Sequence, residues 1–289
     1  MIRAIESVLT QTYSRFEIIV VDDNEPESEE RRNTEKMMER YKDDIRVHYF
    51  KHDKNRNGAA ARNTAFKKSK GEYIAFLDDD DYFLSDKLKL QVEFLDKNKS
   101  FGGVYCWREQ KGEKICGRYE GDLSKELLSL EFTPCTSSIM IRRECYIALN
   151  GFNESYRRHQ DFEFLLRFFK IYSLSYVPKI QVVISTNGVD NVPKGKNMIK
   201  IKEQFFEEFK DIICQIKETD RATWKKIYLN HFVRLFKDLI RYGHPLLAIK
   251  IYFKYGFNLG FNFWKLFYRL CREGLLERRQ KGKSKIDEK

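Results

Sequence analysis

The sequence of 289 residues has no run of eighteen or more uncharged apolar residues, so none of it reads as a membrane-spanning helix. Nor does it open on a secretory signal, because Arg3 and Glu6 interrupt any apolar core there. Six cysteines, Cys106, Cys116, Cys135, Cys145, Cys214 and Cys271, are scattered without CxxC spacing. That scatter argues against a disulfide framework and a thiolate zinc site, and fits a reducing compartment. Five histidines, His48, His52, His159, His231 and His244, lack the HxxxH pairing that would hold a metal.

What is present is a globular composition, 42% hydrophobic and 15% aromatic, long enough to bury a large core. The net charge of +11 is unevenly placed. Residues 1–189 carry 31 basic and 31 acidic side chains, whereas residues 190–289 carry 23 and 12. With Gly188, Pro193 and Gly195 as punctuation, this predicts a neutral domain, 1–189, and a basic helical region, 190–289.

Apolar patterning in the first part predicts a helix over 2–12 and a buried strand over 16–21 that ends at Asp22-Asp23. A helix over 25–41, a strand over 45–50, a helix over 57–69 and a strand over 73–77 follow. Then come a helix over 86–97, strands near 103–107 and 138–141, a helix over 161–171 and a strand over 174–185. Strand and helix in alternation imply an α/β fold with a mostly parallel sheet flanked by helices.

The most informative feature is GEYIAFLDDDDYF, in which a buried strand runs into four aspartates, Asp78 to Asp81. Like charges crowded at a strand end repel and lose hydration, so a hard divalent cation is the natural compensation. A solvated turn with Ser85 as N-cap accounts for Ser85 and Asp86 but gives the four aspartates no role. Asp22 and Asp23 close a second strand, and in open α/β sheets ligands bind beyond the carboxyl ends. In NGAAARN, small residues let backbone approach a ligand at a helix start, and Arg62 lies one turn in, able to pair with a phosphate. Gln160 and Asp161 open the apolar helix of residues 161–171. Asp161 reads either as a cap or as a general base at a cleft rim.

These segments, FEIIVVDDNEP (16–26), NGAAARNTAF (57–66), GEYIAFLDDDDYFLSDKL (71–88), TSSIMIRRE (136–144) and GFNESYRRHQDFEFLLRF (151–168), resemble the family 2 glycosyltransferases of GT-A fold. The likeness covers about residues 1–185 and is to members that build bacterial surface polysaccharides. It implies that Asp22, with Asp23 beside it, contacts the nucleotide base and that Arg62 lies near base and diphosphate. Asp78 and Asp80 match the outer positions of the DxD motif, Asp78 toward the ribose and Asp80 on Mn2+ or Mg2+. Asp161 matches the catalytic base, with Gln160 where glutamate is usual. The implied reaction is an inverting, metal-dependent transfer from a nucleotide-sugar, a UDP-sugar, to a glycan or lipid-linked saccharide acceptor. Family members begin with a strand ahead of the first helix, and this chain starts after it. The alternative is therefore a truncated, catalytically inactive scaffold or partner-binding module; nucleotidylyl transfer suits the Gln160-Asp161 context less well.

The basic third is helical from Met198, with Ile227, Phe232, Leu235, Phe236, Leu239 and Ile240 at helical spacings. Residues 251–270 are crowded with aromatics, and Arg278 to Lys285 is polybasic. Aromatic amphipathic helices beside basic clusters suit an anionic membrane. The expectation is a cytoplasmic protein, peripheral on the inner face of the cytoplasmic membrane; a plain bundle accounts equally well for residues 198–245. No nucleic-acid module is recognisable, so nucleic acid is not expected as a partner.

Overall fold

The computed structural model describes residues 1–133, 135–156, 158–185 and 194–272. The punctuation at Gly188 and Pro193 and the tail from Arg278 to Lys285 lie outside the described residues. Two compact units form, one of Met1–Ser124 with Phe132–Val189, the other of Lys125–Glu131 with Asp190–Lys289.

The first unit opens with α1, Ile2–Leu9, whose Ala4, Ile5 and Val8 are buried. Ile5 packs with Met38 and Tyr41. Strand β1, Ile18–Asp22, pairs in parallel with β2, Val47–Lys51, in the register Ile18 to Val47 through Asp22 to Lys51. Between them α2, Glu29–Met38, starts at Ser28, whose hydroxyl accepts the Arg31 amide, and two glutamates favour its positive N-terminal end. Helix α3, Gly58–Lys68, buries Ala59 and Ala60 completely, since methyl side chains allow close packing.

The second sheet has the order β3-β7-β5-β8-β4, with β6 paired to β5. Its strands are β3, Tyr73–Ala75; β4, Tyr82–Phe83; β5, Phe101–Gln110; β6, Glu113–Ile115; β7, Ile139–Arg142; and β8, Ser173–Ile184. The α/β class holds, but the sheet is mixed, not mostly parallel: among the described residues only β1–β2 and β5–β8 run in parallel. The reason lies in the connection from β5 to β7, which carries only the short α5, Ser124–Leu128, in place of a long crossover helix. The chain returns as β7, antiparallel to both β3 and β5. It follows that β3, β5 and β8 point the same way, and that their carboxyl ends share one edge with the start of β7.

Helix α4, Lys87–Lys97, covers this sheet, and the core joins its Leu95 to Val104, Met140 and Val182. Helices α6, Arg143–Ala148, and α7, Gln160–Phe169, complete the unit, α7 burying Phe162, Leu165, Leu166 and Phe169. Close strand contact requires glycine at Gly103: a Cβ there would lie 2.8 Å from Ile141 Cγ2 and 3.0 Å from the Met140 carbonyl oxygen.

The second unit consists of α8, Asn197–Glu208; α9, Lys210–Thr219; α10, Arg221–Arg241; and α11, Pro245–Ile251, followed by short turns to Leu259 and a further helical stretch over residues 261–272. Phe232, Leu239, Ala248 and Phe263 are fully buried in its core, and Phe232 stacks on Tyr255 at 3.9 Å. Residues 125–131 join this unit although their place in the sequence lies far outside it. His231 Nε2 meets the Leu128 carbonyl at 2.9 Å, Asn230 donates to the Ser129 carbonyl at 2.7 Å, and Lys125 pairs with Asp220. Among the described residues no helix is long and apolar enough to cross a membrane.

Gly103→Ala should destabilise the protein by about 1–3 kcal/mol, because a backbone oxygen cannot move aside. In urea unfolding the midpoint should fall with little change in slope.

Candidate active site

The shared sheet edge gathers the acidic run. Asp78 follows β3, and its amide donates to Ser137 Oγ at 3.1 Å. Asp81 is only 2% exposed and fully engaged: Oδ2 accepts the Ser137 hydroxyl at 2.6 Å and Oδ1 the Ser185 amide at 2.9 Å. Burial is the largest influence on its carboxyl and pushes its pKa up. The Asp80 carboxyl is also raised, first by burial and then by Asp79 and Asp78. Arg3 of α1 donates to the Asp80 carbonyl at 2.8 Å and holds the loop.

Arg62, one turn into α3, spans two elements. Its Nη2 meets Asp78 Oδ1 at 2.7 Å, and its Nη1 meets Gln160 Oε1 at 3.1 Å. Gln160 is the first residue of α7 and also reaches Asn57 Oδ1 at 3.4 Å. Asn57 stands at φ +96°, and its side-chain oxygen accepts the Ala59 and Ala60 amides, which starts α3. Asp23 fixes the approach to that start, accepting the Arg56 and Asn57 amides at 2.8 Å and the His52 ring at 2.7 Å. A continuous polar chain thus runs from Asp23 through Asn57, Gln160 and Arg62 to Asp78.

Asp161 lies next along α7, partly buried, its Oδ1 accepting the Phe162 amide at 3.0 Å. Burial is the main influence and raises its pKa; nearby Arg62 opposes this and Asp78 adds to it. Asn63 of α3 sets the loop before α7, accepting from Tyr146 and Phe152 and donating to the Phe152 carbonyl and Glu154. A Cβ on Gly151, at φ +69°, would strike the Asn63 side chain.

Residues 1–149, just over half of the sequence, match Glycosyl transferase family 2. This chain belongs to that family. An uncharacterized glycosyltransferase of Rickettsia bellii is 46% identical to the family 2 chain over 97 residues, 34% of this chain and 13% of that protein. WfaP of Escherichia coli, a UDP-Glc:alpha-D-GlcNAc-diphosphoundecaprenol beta-1,3-glucosyltransferase, is 39% identical over 113 residues, 39% of this chain and 43% of WfaP. The alignments to three Rickettsia relatives span 13%, 20% and 15% of those proteins' length. The crystal structure of S. aureus TarS 1–349 in complex with UDP-GlcNAc matches with a TM-score of 0.57 at 16% identity, covering 94% of this chain and 87% of that one. At that identity the likeness is one of fold.

Within the family 2 chain, Arg62, Gln160, Asp78 and Asp161 converge, Asp80 follows in the same loop, and Asp23 is linked through Asn57. Asp22 corrects the expectation of direct base contact. Its side chain is 0% exposed, 3.3 Å from Arg31 Nε, and accepts from Tyr49 at 2.6 Å and the Asn24 amide at 2.9 Å. With this side chain shut off from solvent and both oxygens engaged, Asp22 anchors Arg31, which also donates to the His52 carbonyl. Burial, with the Asp22 carboxylate second, holds the Tyr49 hydroxyl pKa high. Among the described residues no three His, Cys, Asp or Glu groups cluster closely enough to hold a metal by themselves. The donors that remain, Asp79 and Asp80, are oxygen-only and mutually repelling, and they fit a hard cation that keeps water and phosphate in its shell.

Sequence reasoning passed over Asn57, Ser137 and Arg31. An asparagine before Gly-Ala-Ala is a readable helix cap, but nothing local marks Ser137, whose partners are 56 and 59 residues away.

Asp22→Ala should cost about 3–5 kcal/mol, because it leaves Arg31 buried without its counter-charge. Thermal and chemical unfolding both measure this.

Proposed function

We propose that the chain moves a sugar from a UDP-sugar to a hydroxyl of a growing surface polysaccharide or lipid-linked saccharide, inverting the anomeric configuration. The observation that carries this reading is Arg62, one guanidinium that joins the acidic donor edge at Asp78 to the helix bearing Asp161. WfaP, by its name, uses UDP-Glc and a diphosphoundecaprenol-linked acceptor, and TarS structures hold UDP and UDP-GlcNAc, which supports the choice of donor and acceptor.

Asp161 acts as general base. A carboxyl with a raised pKa is a stronger base, and it takes the acceptor proton as the oxygen attacks the anomeric carbon. Attack from the face opposite the leaving nucleoside diphosphate gives inversion in one displacement. Asp78, steered by Arg62, faces the ribose side, and Asp23 shapes the turn against which the base lies. Asp80 with Asp79 would hold Mn2+ or Mg2+, which supplies Lewis-acid stabilisation of the departing diphosphate. An inactive scaffold would bind UDP without turnover, so the two readings separate by experiment.

Calorimetry should find UDP binding that needs Mn2+ and is lost with EDTA or Asp80→Ala. Asp161→Asn should keep that binding while transfer falls by about 10²–10⁴-fold. Because burial raises the Asp161 pKa, protonation should silence the base at a higher pH than an ordinary aspartate allows, so the acid limb of the rate profile should lie above about pH 4. UDP affinity indifferent to EDTA, or full transfer by Asp161→Asn, would overturn the respective assignment.

The second unit supports a place at an anionic membrane. Leu246, Ile249, Phe253 and Phe257 recur at helical spacing and are exposed, as are Phe261, Trp264 and Tyr268. Lys250, Lys265, Arg269 and Arg272 interleave with them. Apolar rings beside cations suit the headgroup layer on the cytoplasmic face. Phosphatidylglycerol vesicles should carry the protein in flotation, salt should weaken the association, and Phe253→Ser with Phe257→Ser should abolish it. Equal flotation with uncharged vesicles would refute the electrostatic part.

A further inference from the structure

Strand β5 brings a second guanidinium to the same sheet edge. Along this strand Val104 and Cys106 face the core and are buried, while Tyr105 and Trp107 face the other way and donate to the Gly117 carbonyl. Arg108 continues the core-facing row. It is in register with Val182 of β8, which is itself in register with Phe83 of β4, two residues past Asp81. The row therefore ends at the acidic loop.

The setting of Arg108 is unusual for a cation. Its Nε is sealed from solvent without a hydrogen-bond partner, and among the described residues its side chain has no hydrogen bond, ion pair or ring contact. The residue as a whole is only partly buried, so the terminal nitrogens keep an open side. Burial is the largest influence on the group and lowers its pKa; its titratable neighbours are Cys135 and Cys106, buried thiols whose own pKa values are raised, and Asp81. Asp81 makes no ion pair with it; its carboxylate oxygens accept instead from the Ser137 hydroxyl and the Ser185 amide. A guanidinium stays charged at any physiological pH, and a half-desolvated, unpaired one is costly until an anion meets it.

We propose that Arg108 receives phosphate oxygens of a substrate at this edge. Arg62 is already committed to Asp78 and Gln160, so Arg108 is the guanidinium whose fork is open to a tetrahedral anion. Two sources offer that chemistry: the diphosphate of the sugar donor, and a phosphate carried by a lipid-linked or polymeric acceptor. The inference rests on the glycosyl-transfer reading for its substrates, but the binding it requires is measurable without turnover.

The test titrates UDP with Mn2+, uridine and phenyl phosphate into the full chain and into Arg108→Gln and Arg108→Lys. Arg108→Gln should weaken one phosphate-bearing probe by about tenfold to a hundredfold and leave uridine unchanged. Loss on UDP assigns the donor diphosphate. Loss on phenyl phosphate with UDP unaffected assigns the acceptor phosphate, and the KM for a phosphate-bearing acceptor should then rise while donor hydrolysis to water stays constant. Arg108→Lys keeps charge without the fork and should recover part of the loss; it also serves if the glutamine variant does not fold. Equal affinity for both probes in a variant that melts like the wild type would overturn the proposal, as would wild-type protein that binds neither. Failure of the transfer reading is separate: UDP bound tightly, but no sugar moved to any acceptor.

Discussion

The candidate site depends on the contact that Arg62 makes with Asp78 and Gln160, because one guanidinium joins the end of β3 to the start of α7, 98 residues along the chain from Arg62. Asp78 is at the end of a strand, Gln160 starts a helix, and neither carries information about the other in sequence. The pair is partly exposed, with 21% of the Arg62 side chain and 41% of the Asp78 side chain accessible. An ion pair this wet contributes at most about 1 kcal/mol. Its importance is therefore positional. A planar fork fixes two acceptors in one plane and keeps the Asp78 charge from acting unopposed on Asp161 and Asp80. Because the pair is weak, an arriving cation can adjust the Asp78 end without unfolding anything.

The ion pair of Asp22 and Arg31 is the opposite case. With side chains 0% and 5% exposed, both charges have left water, and the cost of separating them is several-fold greater. Such a pair is suited to holding backbone in place. Arg31 ties the ends of β1 and β2 together through the His52 carbonyl, and this presents Asp23 to the turn before α3. Of two adjacent aspartates, one sets the scaffold and the other works at the turn.

That division explains what the sequence could disclose. Apolar runs such as 16–21 and 73–77 foretold strands within two or three residues of their bounds, since buried strands need little beyond β-branched and aromatic side chains. The DDDD run foretold the functional edge, since its charge had no local structural use. The choice between Asp22 and Asp23 was not legible: neighbouring strand residues face opposite sides, and a doubled residue gives no phase. Strands of two and three residues, β4 and β6, carry too few side chains to leave a period. The positive φ of Asn57 accompanies a bond from its amide to Asp23, 34 residues away, which no local pattern announces.

Strand direction was the larger departure, and it matters most for the site. Had the sheet been parallel throughout, the start of β7 would lie at the opposite edge from the acidic run, and residues 135–138 with it. Because β7 runs against both neighbours, Ser137 reaches the loop after β3, holding Asp81 by its hydroxyl while accepting the Asp78 amide. The same reversal sets Cys135 beside Asp81 and leaves Arg108, at the end of β5, facing a loop whose buried carboxylate is already satisfied. One reversed strand therefore supplies the hydroxyl that stiffens the acidic run and, by engaging Asp81, leaves Arg108 without an ion-pair partner among the described residues.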